Sequence, residues 1–271
     1  MRLTTKDHWE KVWTAKEITA IEFDPLLPNF RERHQLFEKY IPKSTNGTVM
    51  EIGAYPGRYL HYFHKYFQYM PWGVEYVETN ALHAVRLLEN NGVFATILNK
   101  DFFTLDPQES PTGDGWNITM SFGFIEHFDD STEVITKHIE VTRAGGIIIL
   151  SVPNHAGING WILHKIDKEL WDQHNKMSLK DMQIAVKKAG GSEVLYAGYV
   201  GHLGFGPSNL WPAVRERFGA AYPLIRAPVW VIERLAQWIV PNNRWTSPDT
   251  IMILSKEKSS TTKVVNDVEE K

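Results

Sequence analysis

Between residues 48 and 152 the chain alternates short apolar runs with segments of helical period, and this alternation restricts the fold more than anything else in it. The runs cover 48–52, 72–76, 94–99, 116–121 and 147–152. Helices are predicted over 59–69, 80–90 and 132–141, the last ended by Gly145 and Gly146. Runs that are apolar on both faces suit strands covered on both sides, so the pattern predicts a parallel sheet built from strand–helix units. A further helix is predicted over 30–41. Ser178 with Asp181 reads as a capping box whose helix stops at Gly190 and Gly191. Runs 192–200 and 250–255 predict two more strands, separated by about fifty residues that are not sheet-like. The expected organisation is an N-terminal helical segment (1–44) and one α/β domain (45–255). That domain carries insertions at about 156–177 and 202–247, and a polar tail, 256–271, is expected to be disordered.

Composition removes several classes of chemistry. Twenty-nine Lys and Arg against 32 Asp and Glu leave a net charge of −3, without the basic excess of a nucleic-acid-binding protein. There are no cysteines, which excludes thiolate zinc sites and cysteine nucleophiles. The first residues, MRLTTKDHWEKVW, lack the apolar core of a signal peptide. No apolar run approaches the ~20 residues that span a bilayer. A cytoplasmic location is expected.

The first run ends in VMEIGAYPGRYL, a buried strand followed by a carboxylate and a glycine turn. In an open parallel sheet such a turn faces ligand at the carboxyl ends of the strands. The spacing is E-x-G-x-x-x-G, through Glu51, Gly53 and Gly57. A dinucleotide loop would place glycine where Tyr55 stands, and a phosphate loop would follow Gly57 with Lys rather than Arg58. The turn is therefore poor for phosphate but allows close backbone approach. Glu75 lies 24 residues after Glu51, at the next strand end, where a carboxylate can accept both hydroxyls of a ribose. After the third run, Asp101 can accept from an adenine amino group and Phe102 can lie against the ring. Three carboxylates at successive strand ends suit a cationic nucleoside without phosphates, such as S-adenosylmethionine.

These residues resemble the class I S-adenosylmethionine-dependent methyltransferases. They look closest to the group containing the quinone-biosynthesis O-methyltransferases. Five segments carry the resemblance: VMEIGAYPGRYL, WGVEYVETN, LNKDFFTL, WNITMSFGFIEHFDD and VTRAGGIIILSVPN. It implies a Rossmann-like fold, a seven-stranded mostly parallel sheet flanked by helices whose last strand runs antiparallel. By the same resemblance Glu51, Gly53, Ala54 and Gly57 border the methionine part of the cofactor. Glu75 takes the ribose, Asp101 and Phe102 the adenine, and Ser121 and Phe122 lie beside the sulfonium.

Methyl transfer releases a neutral thioether, so only the acceptor hydroxyl needs help with a proton, a task suited to histidine. His127 of FIEHF is the first candidate base, and His155 of VPNH and His174 are further catalytic candidates. Glu126 and His127 match a Glu-His pair of the quinone group. They also resemble part of the metal site of small-RNA 2′-O-methyltransferases, but the Glu expected three residues earlier is Gly123 here. No residue is assigned as a metal ligand; a magnesium site from Glu126, His127 and His155 is kept as an alternative. If 161–171 is one helix, Ile162, Ile166 and Leu170 form its core stripe. His164, Asp167 and Trp171 then share a face suited to a polar ring. The insertion at 202–247 carries APVWVIERLAQWIVP, too short to span a membrane, which suits a lid, a homodimer surface or an interfacial helix.

The leading expectation is O-methylation of a hydroxyl on a sugar, glycan or similar small acceptor, with no nucleic acid as partner. The alternatives are methylation of a quinone-like or other lipid ring, recognisable by a wide apolar pocket under the Trp-rich insertion, and a non-catalytic cofactor-binding module.

Overall fold

The computed structural model describes residues 2–14, 18, 21–25 and 28–258. From residue 259 on, the expected disordered tail lies outside the described residues. Two helices, α1 (Lys6–Thr14) and α2 (Pro28–Tyr40), precede the sheet. Then follow β1 (Thr48–Ile52), α3 (Arg58–Phe67), β2 (Met70–Val74), α4 (Glu78–Asn90), β3 (Thr96–Leu98) and β4 (Trp116–Phe122). After α5 (Ser131–Val141) and β5 (Thr142–Pro153) come α6 (Ile158–Ile166), α7 (Lys168–Asp172), α8 (Leu179–Ala189) and β6 (Ser192–Val200). The chain continues through α9 (Leu210–Phe218) and α10 (Tyr222–Ile239) into β7 (Asp249–Lys256).

The seven strands lie in the order β3-β2-β1-β4-β5-β7-β6, and only the pairings of β7 are antiparallel. This is the seven-stranded, mostly parallel sheet with an antiparallel last strand that the resemblance implies. Because strand side chains alternate faces, the sheet separates two cores. Val49, Ile118, Met120, Ile149 and Ile253 face Phe37, Leu60, Phe63 and Leu88 on one side. Met50, Ile52, Ile148, Leu150 and Leu254 face Val134, Ile135, Met182 and Val186 on the other. With both faces covered, the strand ends are left as the place for a ligand.

Three local expectations are corrected. Gly145 and Gly146 do not end α5; they lie inside β5, where its register with β4 breaks between Trp116 and Ile118. A Cβ on Gly146 would meet Thr142 at 2.7 Å and the Asn117 carbonyl at 2.8 Å, so glycine permits close strand approach there. The single helix expected over 161–171 breaks at Asp167, whose carboxylate accepts from the Leu170 N–H at 3.0 Å and caps α7. Such local side-chain bonding competes with helix continuation. The buried apolar side chain of α6 is Leu163, while Ile166 is exposed, because the break removes the stripe that 162, 166 and 170 would have formed. Finally, β7 runs to Lys256, whose ammonium donates to the carbonyls of Glu140 and Thr142 and so belongs to the folded domain.

Candidate functional site

The ends of β1, β2, β3 and β4 surround a pocket whose floor is the turn after Ile52. Gly53 turns there at φ +70°, the left-handed region that glycine enters without strain. Its N–H donates to the Val74 carbonyl at 3.0 Å, fixing the turn on β2. Glu75 follows the last residue of β2 and reaches the pocket. One of its carboxylate oxygens accepts from the Val77 N–H at 3.0 Å. Burial pushes its carboxyl above the usual range, against the pull of backbone N–H groups at Val77, Tyr55 and Tyr76. Asp101 caps the turn after β3 by accepting from the Phe103 N–H at 3.0 Å, and Phe102 beside it is buried in the wall. Phe122 closes β4 and stacks on Tyr59 with ring centroids 3.4 Å apart.

The N-terminal segment roofs this pocket. Arg2 pairs with Asp101 and lies 5.3 Å from the Tyr76 ring centre. The Leu3 N–H donates to the His127 carbonyl at 2.8 Å. Trp9 meets His127 edge-on, with ring centroids 4.7 Å apart.

At the β4 end stand Glu126, His127, His155 and His174, all buried. His127 lines the pocket; His155 and His174 stand behind it. His174 Nδ1 donates to the Leu170 carbonyl at 2.6 Å and His127 Nδ1 to the Gln173 carbonyl at 3.3 Å. A carbonyl can only accept, so both rings carry their proton on Nδ1 and keep a lone pair on Nε2. Burial, with His174 adding to it, pulls His127 down to about 3, and burial pulls His155 to about 3 as well. Burial pushes Glu126 up to about 8, with Asp249 adding to it. Burial therefore keeps the His127 imidazole neutral, with its Nε2 lone pair free to accept a proton or a hydrogen bond. Ligand atoms of Glu126, His127 and His174 lie within 4.8 Å of one another.

A second cavity, of about 370 Å³, opens under α10. Arg33, Arg226, Arg234, Trp211 and Trp230 line it. Arg33 pairs with Asp249 and donates to Tyr59 at 2.9 Å. Arg226 pairs with Glu233 at 2.8 Å and sits over Trp211. Nη1 of Arg226 and Nη1 of Arg234 are buried without a hydrogen-bond partner. Tyr59 touches Phe122 of the first lining and Arg33 of the second, so a continuous chain of side-chain contacts links the walls of the two cavities.

Of the residues predicted to meet a cofactor, Gly53, Glu75, Asp101, Phe102 and Phe122 line the first pocket. Glu51, Ala54, Gly57 and Ser121 do not. Glu51 is buried behind the turn, where the Leu60 backbone bonds it and burial pushes its carboxyl well up. Ala54 is fully buried under the turn, and Gly57 turns at φ +92° against Leu88. Ser121 points to the opposite side of the strand and donates to His138 Nε2 at 3.0 Å. Strand alternation explains this, since Phe122 and Ser121 cannot share a face. His164 and Trp171 do meet, with ring centroids 5.3 Å apart, although the helix between them is broken. Arg2, Thr4, Trp9, Tyr76 and Phe124 line the pocket without having been expected to. The only sequence signal for Trp9 was an aromatic in a polar segment, and Arg2 had none.

A family model described as a methyltransferase domain matches residues 26–194. No curated protein matches the chain in sequence. Among solved structures, an S-adenosylmethionine-dependent methyltransferase from Thiobacillus denitrificans in complex with S-adenosyl-L-homocysteine is similar at TM-score 0.56 and 15% identity, covering 92% of this chain and 98% of that one. The corresponding protein from Geobacter sulfurreducens, also with S-adenosyl-L-homocysteine, gives 0.55 and 14%, over 90% and 95%. The geranyl diphosphate C-methyltransferase from Streptomyces coelicolor A3(2), in complex with Mg2+, geranyl diphosphate and S-adenosyl-L-homocysteine, gives 0.55 and 12%, over 84% and 78%. At these identities the likeness is one of fold.

Proposed function

Because the chain belongs to the class I S-adenosylmethionine-dependent methyltransferases, we propose that the strand-end pocket holds S-adenosylmethionine. We propose further that the methyl group passes to a hydroxyl of a sugar, a glycan or a similar small acceptor. In this reading Glu75 accepts the ribose hydroxyls with the carboxylate oxygen that Val77 does not use. Asp101 takes the adenine amino group once Arg2 yields, and Phe102 packs on the ring. Gly53 brings the backbone to the methionine part, while Ala54 and Gly57 shape the turn from beneath. Phe122 stands beside the sulfonium, between the cofactor and the second cavity.

The reaction is an in-line displacement. The acceptor oxygen forms a bond to the methyl carbon as the carbon–sulfur bond breaks, and its electron pair leaves on a neutral thioether. Catalysis then rests largely on holding oxygen, carbon and sulfur in line. His127, at the pocket wall with Nε2 unprotonated, offers the acceptor hydroxyl a hydrogen-bond acceptor.

The acceptor half of the reading rests on the arginine- and tryptophan-lined cavity next to Phe122. Tryptophan faces pack on sugar rings, and unpartnered guanidinium groups recognise phosphate or carboxylate. A hydroxylated acceptor with an anionic group fits that lining. A quinone-like or other lipid ring remains the second reading, supported by Leu203, Phe205, Trp211 and Trp230 in the same lining. The exposed apolar face of α10, with Leu224, Leu235, Trp238 and Ile239, supports work at a membrane surface on a lipid-linked glycan. No helix among the described residues is long and apolar enough to cross a membrane. The test is a screen of hydroxylated sugars and sugar phosphates with labelled cofactor, repeated with Arg234→Ala. The expected result is a KM for the anionic acceptor raised about tenfold, with S-adenosylhomocysteine affinity unchanged. An unchanged KM would remove this cavity from the acceptor site.

A further inference from the structure

We propose that Glu126, His127 and His174 form a buried binding site for a borderline divalent cation, Zn2+ or Mn2+, which meets the methyl-transfer pocket through His127. The site is built rather than fortuitous. Both imidazoles are oriented by Nδ1–H bonds to backbone carbonyls, which aim lone pairs rather than protons from Nε2. That outer-shell arrangement is how metal-ligating histidines are held. Glu126 Oε1 lies 3.8 Å from His127 Nε2, and the three donor atoms fall within 4.8 Å of one another. Ligands around one cation at ~2.0–2.2 Å sit somewhat closer than this, so binding draws them in by small side-chain rotations.

The unsatisfied atoms point the same way. Glu126 Oε2 is buried with no partner, as are both ring nitrogens of His155, whose ring centre lies 4.8 Å from that of His174. Buried polar atoms are ordinarily hydrogen-bonded, and several orphans in one place call for an occupant. A cation satisfies Glu126 directly, and His155 packs against the His174 ring beside the three donors. Gly123 completes the argument. It lines the cofactor pocket at φ +68°, and a Cβ there would lie 3.4 Å from Glu126 Oε1. Glu126 thus lies directly behind this glycine, buried and one layer in from the pocket wall.

The donor set selects the ion. Two imidazoles and one carboxylate suit Zn2+ or Mn2+, whereas Mg2+ prefers oxygen donors and keeps its waters. The magnesium alternative kept from the sequence therefore does not fit these residues, and His174 replaces His155 in the primary set. Binding of the ion is independent of the methyltransferase reading. Its role rests on that reading: the cation would take the Nε2 lone pair of His127 and replace that hydrogen bond by holding the acceptor hydroxyl through its oxygen, favouring loss of its proton to water. The resulting alkoxide is the better nucleophile toward the methyl carbon.

The experiment uses full-length protein stripped with a chelator. Zn2+, Mn2+ and Mg2+ are titrated separately by calorimetry. Co2+ is added as a spectroscopic probe, and Glu126→Gln and His174→Gln are compared with wild type. S-adenosylhomocysteine binding and circular dichroism are followed alongside as folding controls. The expected result is one equivalent of Zn2+ or Mn2+ bound at least tenfold tighter than Mg2+. Co2+ should give visible absorption bands that both variants lose, while S-adenosylhomocysteine affinity stays within twofold. No heat with Zn2+ or Mn2+ at millimolar concentration, or variants that bind as wild type does, would overturn the site. Cation binding without any S-adenosylhomocysteine binding would uphold the site and sink the methyltransferase reading alone.

Discussion

The strand-end pocket and the insertion between β6 and β7 are built on opposite principles. In the pocket, the groups at the strand ends are fixed by backbone: Glu75 by Val77, Asp101 by Phe103, Gly53 by Val74. In the insertion, α10 buries only Ala236 among its residues, and Trp238 and Ile239 are 73% and 79% exposed. Its arginines are held by tryptophan faces and single carboxylates, such as Arg234 over Trp230 and Arg226 on Glu233. A rigid frame suits a cofactor that is always the same molecule. A surface held by few internal contacts suits an acceptor that brings its own.

The contrast can be broken at its strongest point first. Glu75→Ala removes the carboxylate at the end of β2, and two lost charge-assisted bonds of about 1.5 kcal/mol each should weaken S-adenosylhomocysteine binding roughly 100-fold. Isothermal calorimetry reads this directly; near-normal affinity would take Glu75 out of the site. Gly57→Ala acts on the frame. The new methyl would stand 3.0 Å from Leu88 at φ +92°, so a loss of about 1–2 kcal/mol and a fall in Tm of several degrees are expected by calorimetric scanning. An unchanged Tm would mean that the turn is more plastic than its packing implies.

A smaller effect separates the two sides of β4. Ser121→Ala should cost stability, about 1 kcal/mol for the buried bond to His138, and leave S-adenosylhomocysteine affinity within twofold. A large affinity loss would return Ser121 to the cofactor site. Smallest in stability is Trp238→Ser on α10, expected within about 0.5 kcal/mol of wild type because the side chain is exposed. The same variant should lose co-sedimentation with anionic phospholipid vesicles. Vesicle binding equal to wild type would leave this face to a second copy of the chain, which ultracentrifugation would then detect.

The two regions also differ in how far the sequence reveals them. Strand alternation, glycine turns and terminal carboxylates are local signals, so β1, β4, Gly53, Glu75 and Asp101 were readable from neighbouring residues alone. Strand parity is a local signal too: Ser121 and Phe122 are neighbours and must face opposite sides, which places Ser121 away from the pocket. Groupings that depend on distant segments were not readable. Arg2 meets Asp101 across 99 positions, and His174 meets His127 through a break at Asp167 that a helix-period reading runs straight over. The insertion shows its helical period but not its partner, since an apolar stripe reads alike whether it faces a core, a membrane or another copy.

The most direct test of the account is a calorimetric titration of the full-length protein with S-adenosylhomocysteine, with NAD as control and Glu75→Ala in parallel. The account predicts one site for S-adenosylhomocysteine, none for NAD, and binding about 100-fold weaker in the variant. Failure of wild type to bind S-adenosylhomocysteine, or equal binding by Glu75→Ala, would contradict the claim that the ends of β1 to β3 hold the nucleoside.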